Sequence, residues 1–317
     1  NFFYFIMQKK VFEEVKWNLD TIKNVLNINS INGRILKISY LPFKKILVKI
    51  KDKKYLYLYK ISYDPYSIKL SDNETQSYKI INNNKLNFIK ILPFKKITLN
   101  KKYSITKVKY IYERKANFFE FDSFYKFMNL KKTKNSLVTN YINLKIKNYI
   151  HLNKKISKDI FIKKYKKKII NTFKLKKIIT SYSHGDFSKY NTIKNKKKNY
   201  VIDLEFFNRN RNFLYDYLFW HLVPVLNYLY KINNIVHINI ILYLIKNFIK
   251  YNLLKKKLYI ENLDIYFVLF FFERILQLKT EIKLKNIDEL LPKFHQRRNL
   301  KIINFYEKLL IYCLNKM

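Results

Sequence analysis

Hydrophobic positions in the first third of the chain fall in short runs that suit β-strands. The runs are rich in β-branched and aromatic residues and are separated by polar clusters. This pattern predicts strands at 34–40, 46–50, 55–62, 96–99 and 103–112, with a hairpin turn at 51–54. Apolar positions three and four residues apart predict helices at 9–28 and 73–83. We therefore expect a small antiparallel β-sheet with a helix inserted between its strands.

Beyond about residue 116 the apolar positions take up helical spacing. The spacing predicts helices at 117–129, 137–149, 158–173, 216–231, 238–254, 263–279, 288–295 and 300–315. Only 178–205 interrupts this pattern, with strand–loop–strand character. The sequence therefore predicts an α+β protein with a sheet lobe at 1–114 and a mostly helical lobe at 115–317.

The formal charge of +43 is the most unusual feature of the composition. A charge of this size normally indicates nucleic acid or an anionic membrane as partner. Of the 65 basic residues, however, 58 are lysines and only 7 are arginines. A/T-rich codons explain this excess of lysine, whereas nucleic-acid recognition favours the bidentate fork of arginine at least as much. We expect no specific nucleic-acid partner, with a polyanion-binding protein as the alternative.

Cysteine usage and hydropathy bear on the compartment. Cys313 is the single cysteine, which excludes an intramolecular disulfide framework and fits a reducing compartment. The longest apolar run, 265–272, is bounded by Asp264 and Glu273 and is too short to span a bilayer. A cytoplasmic protein without a transmembrane segment is expected, and the pattern indicates no oligomeric state.

One short segment contains residues whose types and spacing suit a catalytic site. His184-Gly185-Asp186 is followed by Asn191, which gives the pattern H-x-D-x-x-x-x-N, and Asp203 lies twelve residues further on. The chain has two glycines and five histidines, so the triplet is informative despite the biased composition. Phosphoryl transfer needs a carboxylate at the attacking hydroxyl and oxygen ligands that hold Mg²⁺ on the phosphates. This segment can supply both.

These residues resemble the catalytic and metal-binding segments of the aminoglycoside phosphotransferase and choline kinase superfamily, whose fold is like that of protein kinases. The resemblance implies a small-molecule kinase that uses ATP and Mg²⁺ to phosphorylate a hydroxyl group of an amino alcohol such as choline, a sugar or an aminoglycoside-like compound. It implies that Asp186 is the catalytic base, and that Asn191 and Asp203 are metal ligands. The alternatives are a turn-capping aspartate for Asp186 and a buried structural ion pair for Asp203.

Three more residues near the motif match the resembled pattern. Glu205 is expected to reach the metal site or to lie just outside its ligand set. His184 is expected to support the catalytic loop without reacting. Asp216, in the stretch Leu214 to Leu218, is expected to tie that loop to the N-terminus of the next helix.

Lys60 and Glu74 are the candidate nucleotide-binding residues of the sheet lobe. Strand alternation places Leu56, Leu58 and Lys60 on one face, so an otherwise apolar face ends in an ammonium group. Glu74 is expected to open the following helix and to pair with Lys60, as the lysine and glutamate of kinases do. The alternative is an ordinary surface lysine, because lysine is abundant throughout this chain.

Two features bear on nucleotide affinity and acceptor type. The loop at 41–45 contains no glycine where kinases have a glycine-rich loop, so a catalytically weak pseudokinase or binding module of the same fold is the alternative function. The resemblance implies that the backbone at 110–114 binds adenine. Glu273, Asp288 and Glu289, among many aromatic residues, would suit a cationic acceptor, and the alternative is that 54 tyrosines and phenylalanines simply lie throughout the chain. The stretch from Ile202 to Phe206, with Asn210 and Asp216, resembles choline kinases more, so we rank choline-type compounds or surface-glycan precursors above antibiotics.

Overall fold

A computed structural model describes most of the chain. The described residues are 19–26, 33–41, 43, 45–52, 55–83, 90–91, 94–97, 103–110, 114–115, 133–195, 198–231, 238–255, 260–284 and 293–316. The predicted helix at 117–129 and the acceptor candidates Asp288 and Glu289 lie outside them.

The elements alternate in type along the chain. The strands are β1 (Gly33–Leu41), β2 (Lys45–Asp52), β3 (Tyr55–Ser62), β4 (Lys90–Ile91), β5 (Phe94–Ile97), β6 (Ser104–Lys109), β7 (Arg114–Lys115), β8 (Lys134–Leu137), β9 (Lys177–Ser183), β10 (Thr192–Asn195), β11 (Lys198–Val201) and β12 (Asn208–Asn212). The α-helices are α1 (Leu19–Leu26), α2 (Pro65–Asn83), α3 (Val138–Leu152), α4 (Ile160–Phe173), α5 (Tyr215–Lys231), α6 (Ile238–Lys255), α7 (Leu263–Ile282) and α8 (Lys293–Asn315). Short 3₁₀ turns lie at Lys154–Lys158, Lys189–Asn191 and Leu204–Phe206.

The chain divides into two compact units. The first comprises Asn1–Arg114, Ile193–Phe206 and Asp288–Lys293, and the second comprises Lys115–Thr192, Phe207–Ile287 and Phe294–Met317. The segment Ile193–Phe206 thus groups with the N-terminal unit although it lies in the second half of the chain. This segment contains Asp203 and Glu205, which are expected to act at the metal site.

The first unit is built on an antiparallel sheet of five strands in the order β1-β2-β3-β6-β5. Apolar residues at alternate positions of β2 and β3, such as Ile46, Val48 and Ile61, form its core together with Ile22 of α1. The predicted antiparallel sheet is confirmed, and the predicted strand at 55–62 matches β3 residue for residue. The alternation was readable because one sheet face is buried against the core and the other is not.

The helix α2 begins eight residues earlier than the sequence pattern predicted. Asp64 caps it, because its Oδ1 accepts a hydrogen bond of 2.8 Å from the backbone N of Tyr66. Pro65 is the first helical residue, where a missing N–H costs nothing and the fixed φ favours the helix. Glu74 therefore lies in the middle of α2 and does not open it, which corrects the prediction.

The second unit is mostly helical and carries a sheet of three strands in the order β12-β9-β8. β8 and β12 pair with β9 on either side, and neither was predicted. Their sequences, KNSL and NRNRN, lack β-branched alternation. They form strands because the backbone of the central strand β9 makes hydrogen bonds on both of its edges. This tertiary pairing overrides the weak local preference of the two segments for the strand conformation.

The helix α7 forms the centre of this second unit. Phe267, Phe270 and Phe271 are almost fully buried, and the rings of Phe270 and Phe271 lie 5.1 Å and 6.0 Å from those of Tyr215 and Tyr306. The predicted helices at 137–149, 158–173, 216–231, 238–254 and 263–279 correspond to α3 to α7. The last predicted helix starts at Lys293 instead of residue 300. None of the helices in the described ranges combines the length and apolar content needed to cross a bilayer.

Candidate functional site

Lys60 is the centre of an acidic cluster in the first unit. Its Nζ donates hydrogen bonds to Glu74 Oε2 at 2.9 Å, to Asp203 Oδ1 at 2.9 Å and to Glu205 Oε1 at 2.8 Å. The Lys60–Glu74 pair expected from the sequence is therefore present. Lys60 is also joined to two acidic residues about 145 positions further along the chain. The cluster exists because Ile193–Phe206 packs with the N-terminal unit.

Lys45 is a member of the cluster that the sequence reasoning missed. Its Nζ lies 2.6 Å from Glu205 Oε2, and the side chain is almost fully buried. In the register of β2 and β3, Leu47 lies opposite Lys60, so Lys45 and Lys60 occupy the same face of the sheet. Strand parity could have identified Lys45, but the abundance of lysine concealed it.

Asp203 and Glu205 are presented by an irregular segment. β11 ends at Val201, which is fully buried, and Asp203 follows with a φ of 63°. This left-handed conformation costs a residue with a Cβ free energy, and such residues recur at functional sites. Glu205 lies on the 3₁₀ turn Leu204–Phe206, where its backbone O accepts a hydrogen bond of 2.6 Å from Asn73 Nδ2 of α2.

The protonation of the cluster reflects its charge balance. Burial alone lowers the pKa of Lys60, but Asp203, Glu205 and Glu74 raise it well above its ordinary value, so the side chain remains an ammonium. Burial raises the pKa of Glu74 to about 7 although Lys60 opposes the change, and repulsion from Asp203 and Glu205 adds to the rise. Three carboxylates thus share the two lysines, and further positive charge would stabilise the fully ionised cluster.

The donor set of this cluster suits a divalent cation. One carboxylate oxygen from each of Glu74, Asp203 and Glu205 lies within 4.8 Å of the others. Mg²⁺ prefers a few carboxylate oxygens and leaves its other positions to phosphate and water. Asp203 is partly exposed, with 40% of its side-chain surface accessible, so the cluster can be reached by an ion. Of the three metal ligands expected from the sequence, Asp203 and Glu205 meet here and Asn191 belongs to the second unit.

The loop between β1 and β2 takes an unusual conformation without glycine. Phe43 has a φ of 64°, in the region that glycine adopts most readily. Its ring lies 5.3 Å from that of Tyr66 in the first turn of α2, edge to face. The ring contact contributes to holding the loop against the start of α2, and offsets part of the cost of this backbone conformation.

In the second unit, Asp216 organises the motif loop. Its carboxylate accepts hydrogen bonds from Ser183 Oγ at 2.8 Å, His184 N at 2.7 Å and Gly185 N at 3.0 Å. Asp216 is buried in the first turn of α5, where a carboxylate also benefits from the helix dipole. The expected link between the loop and the helix N-terminus is present. Gly185 has a φ of 85°, which explains why one of the two glycines lies here.

The other motif residues surround Asp186. His184 is fully buried, and its Nδ1 accepts a hydrogen bond of 3.3 Å from the backbone N of Asp186. Asn191 Nδ2 donates to the backbone O of Asp186 at 2.9 Å and to its Oδ2 at 3.2 Å. His184 thus supports the loop, and Asn191 directs the carboxylate of Asp186.

Asp186 also lines a cavity of about 980 Å³ within the second unit. Helices α5, α7 and α8 contribute aromatic and aliphatic walls, including Phe219, Trp220 and Tyr306. Polar atoms come from the motif loop and from Arg274 and Arg298. This volume is at the upper end of the range that small-molecule sites occupy.

Glu273 does not line this cavity, contrary to the expectation that it could bind a cationic acceptor. It is fully buried, and its carboxylate is 2.7 Å from Arg211 Nε, 3.6 Å from Lys145 Nζ and 2.6 Å from Tyr141 Oη. These groups hold the pKa of Glu273 below its ordinary value despite burial. Consecutive helical residues point about 100° apart, so Glu273 faces this internal cluster while Arg274 faces the cavity.

Comparison with known proteins establishes the fold. No protein-family model matches the sequence, and no significant match occurs among curated protein sequences. Solved structures do match. A proposed aminoglycoside phosphotransferase of Ralstonia eutropha has a TM-score of 0.57 and 13% identity, over 94% of this chain and 98% of that one. The aminoglycoside phosphotransferase APH(4)-Ia has a TM-score of 0.54 and 9% identity, over 91% and 99%.

A thermostable mutant of APH(4)-Ia in ternary complex with AMP-PNP and hygromycin B gives a TM-score of 0.54 at 8% identity, over 89% of this chain and 98% of that one. At such low identity the likeness concerns the fold alone. Together with the antiparallel sheet and the helical second unit, it shows that the chain has the α+β, protein-kinase-like fold of aminoglycoside phosphotransferases.

Proposed function

We propose that this protein is a phosphotransferase that uses Mg²⁺ and ATP to transfer the γ-phosphate to a hydroxyl group of a small molecule. The observation that carries the proposal is the cluster in which Lys60 joins Glu74, Asp203 and Glu205 at 2.8–2.9 Å. A lysine paired to a glutamate beside metal-binding carboxylates is the minimal equipment for holding a nucleotide triphosphate in kinase-like folds.

The first unit would hold the nucleotide. Bound Mg·ATP supplies the phosphoryl group and the divalent charge that neutralises its oxygens. Lys60 would donate to a phosphate oxygen while Glu74 fixes its orientation. Asp203 and Glu205 are the carboxylates that would hold the metal, and Lys45 keeps Glu205 in place through its 2.6 Å contact.

The second unit would prepare the acceptor hydroxyl. The carboxylate of Asp186 accepts the hydroxyl proton as the oxygen forms its bond to phosphorus. Asn191 donates to Oδ2 of Asp186 and so orients the carboxylate, and we expect Asn191 to contribute its amide oxygen to the metal. Asp216 fixes the loop through three hydrogen bonds, which limits the reorganisation needed during the reaction.

The solved structures that share this fold support the same class of reaction. The APH(4)-Ia complex contains AMP-PNP, a nucleotide, together with hygromycin B. A related complex of the same enzyme contains ADP and hygromycin B, at a TM-score of 0.51. A nucleotide and a second small molecule are therefore the two ligands that this chain is expected to take.

Thermal unfolding with and without Mg·ATP tests the nucleotide site. A ligand at about 100 times its dissociation constant stabilises a native protein by roughly 2.7 kcal/mol, so the midpoint of unfolding rises measurably. We expect a rise that requires Mg²⁺ and that is lost in Asp203→Asn. Glu261→Gln, at an exposed position in the second unit, is the matched control and keeps the rise. No shift in the wild type would reject the proposal in favour of a pseudokinase.

Asp186→Asn separates chemistry from binding. This variant is expected to lose phosphoryl transfer while keeping the Mg·ATP-dependent rise in unfolding temperature, because Asp186 belongs to the loop of the second unit. The measurement is nucleotide turnover with a panel of hydroxyl compounds, run beside the unfolding assay. Turnover that survives the substitution would exclude Asp186 as the base.

A further inference from the structure

We propose that the acceptor bound in the cavity of the second unit is an anionic hydroxyl compound, namely a sugar or polyol that carries a phosphate or a carboxylate. This inference rests on the proposed function, since it names the substrate class of the same site. It reverses the expectation of a cationic acceptor that the sequence alone suggested.

The charge of the cavity wall is the first argument. Among the described residues that line it, Asp186 is the only carboxylate, whereas Lys189, Arg274 and Arg298 are cations. With Asp186 committed to the reacting hydroxyl, the remaining charge that faces a ligand is positive. A cationic acceptor such as an amino alcohol or an aminoglycoside would be repelled by these three cations, and Asp186 is the one carboxylate among the described wall residues that could attract it.

Arg274 is a half-buried cation at the cavity wall, and one of its donors lacks an acceptor. Its Nη1 donates to Gln277 Oε1 at 2.6 Å, and its Nε is buried without a hydrogen-bond acceptor. Burial lowers the pKa of Arg274, but Tyr215, Tyr306, Asp186 and Glu281 raise it above its ordinary value, so the side chain remains a cation. An anionic ligand in the cavity would add charged acceptors to those that the protein already gives this guanidinium.

One aromatic ring of the wall, that of Phe219, is already in contact with Arg274. The guanidinium carbon lies 4.8 Å from the ring centroid of Phe219, within the range of a cation–π contact. This face of Phe219 is therefore occupied by an internal cation, while Tyr190, Trp220 and Tyr306 supply the remaining aromatic wall. The wall of Phe219 and Arg274 is therefore suited to the sugar skeleton and to the negative charge of an anionic compound.

The identity of the cations is a further argument. The composition favours lysine so strongly that only 7 of 65 basic residues are arginine, and two of those seven line this cavity. The bias that explains the lysines does not explain these arginines. The planar fork of arginine binds phosphate or carboxylate oxygens in pairs, which an ammonium group cannot do.

Glu273, one of the acidic residues expected to attract a cationic acceptor, is not available for that role. It is the acidic residue of α7 nearest in sequence to the cavity, and it is fully committed to Arg211, Lys145 and Tyr141. The charge of Glu273 is therefore neutralised inside the protein.

Calorimetric titration with compounds of one skeleton tests the proposal. The probes are glucose, glucosamine, glucose 6-phosphate and glucuronate, with glycerol and glycerol 3-phosphate as a smaller pair, all at fixed ionic strength and without nucleotide. Hydrogen bonds to charged groups predict that an anionic member binds at least about tenfold more tightly than its neutral parent. The phosphate and carboxylate members show which anion is preferred. Tighter binding of glucosamine or glucose, or no binding of any anionic member at millimolar concentration, would overturn the proposal.

Two exposed neighbours on α8 provide a matched pair of variants. Arg298→Gln removes a charge from the cavity wall, and Arg297→Gln removes an exposed charge that is absent from the wall. We expect the first to weaken the binding of the anionic probes by roughly tenfold without changing that of glucose, and the second to leave both unchanged. Equal weakening by both variants would mean that the anions sense only the net charge of the protein, and the proposal would fail.

The experiments can reject either of the two proposals while the other one stands. Arg298-dependent binding of anionic probes without a Mg·ATP-dependent rise in unfolding temperature would reject the phosphotransferase function and leave an anion-binding cavity. The reverse result would keep the phosphotransferase and reject the anionic acceptor. Inorganic phosphate, titrated alone, shows whether the anion without its hydroxylated skeleton accounts for the binding.

Discussion

Lys60 illustrates how far a single residue could be interpreted from the sequence. Its place on an otherwise apolar strand face and its pairing with Glu74 were predictable from local alternation and from the resemblance to kinases. Its bonds to Asp203 and Glu205 cross 143 and 145 positions of the chain. Those bonds depend on the packing of Ile193–Phe206 onto the N-terminal unit, and sequence spacing contains no information about that packing.

At the same scale, Asp216→Asn is expected to destabilise the protein by about 2–4 kcal/mol. The substitution keeps one acceptor oxygen but replaces the other with an N–H donor that faces the donors Ser183 Oγ, His184 N and Gly185 N. A buried donor without an acceptor costs about 1–3 kcal/mol, and more when a charged partner is lost. The measurement is the free energy of unfolding in urea.

Ser183→Ala is the control for Asp216. It removes only the 2.8 Å hydrogen bond from the serine hydroxyl and leaves both backbone bonds in place, so a loss of about 1 kcal/mol is expected. If the two variants lose equal stability, the backbone bonds of Asp216 do not contribute, and another group must hold the loop.

At the scale of elements, two adjacent residues of α7, Glu273 and Arg274, lie in different electrostatic surroundings. Glu273 completes a buried ion cluster with β12 and α3, while Arg274 faces the cavity. An apolar helix tolerates both charges because each lies on a different side. The sequence predicted the helix, but it could not tell which charge lies inside and which lies at the cavity, because that depends on the rotation of α7 within its neighbours.

The buried ammonium of Lys145 in α3 gives this cluster a pH dependence. Burial lowers the pKa of Lys145 from 10.5 to about 7, although Glu273 opposes the change. Between pH 7 and pH 10.5 the unfolded state therefore binds more protons at this group than the folded state, so the free energy of unfolding rises with pH. Below about pH 7 the folded protein bears the full cost of the buried charge.

Lys145→Met is expected to remove this rise. It is also expected to stabilise the protein at pH 7 or below by about 1–4 kcal/mol, because Glu273 keeps Arg211 and Tyr141 as partners while the costly ammonium is replaced by an apolar side chain of similar length. Urea unfolding at several pH values measures both effects. Lys147→Met, at an exposed position of the same helix, is the control. Destabilisation by Lys145→Met at all pH values would show that the 3.6 Å pair with Glu273 stabilises the fold.

At the scale of the whole molecule, the charge of +43 is expected to act without specificity. Affinity for nucleic acid should fall steeply, by orders of magnitude between about 50 and about 200 mM salt, and should be the same for unrelated duplexes. Fluorescence anisotropy with two duplexes of different sequence measures both properties. A preference for one duplex that persists at high salt would restore the polyanion-binding alternative.

The sequence by itself determined the fold class, most helices and strands, and the loop that contains His184, Asp186 and Asn191. These features are local: they follow from alternation, from helical spacing and from a glycine that the turn at Gly185 requires. Weakly patterned segments such as β8 and β12 became strands only because β9 offered them partners.

Tertiary structure alone decided which charges meet. It brought Lys45 into the cluster around Glu205, placed Glu273 in an internal ion cluster and turned Arg274 and Arg298 toward the cavity. In a chain this rich in lysine, composition does not show which few charged residues belong to the candidate site or the cavity. Distance and burial distinguish them, because the free energy of a charge depends on the groups that surround it in the folded protein.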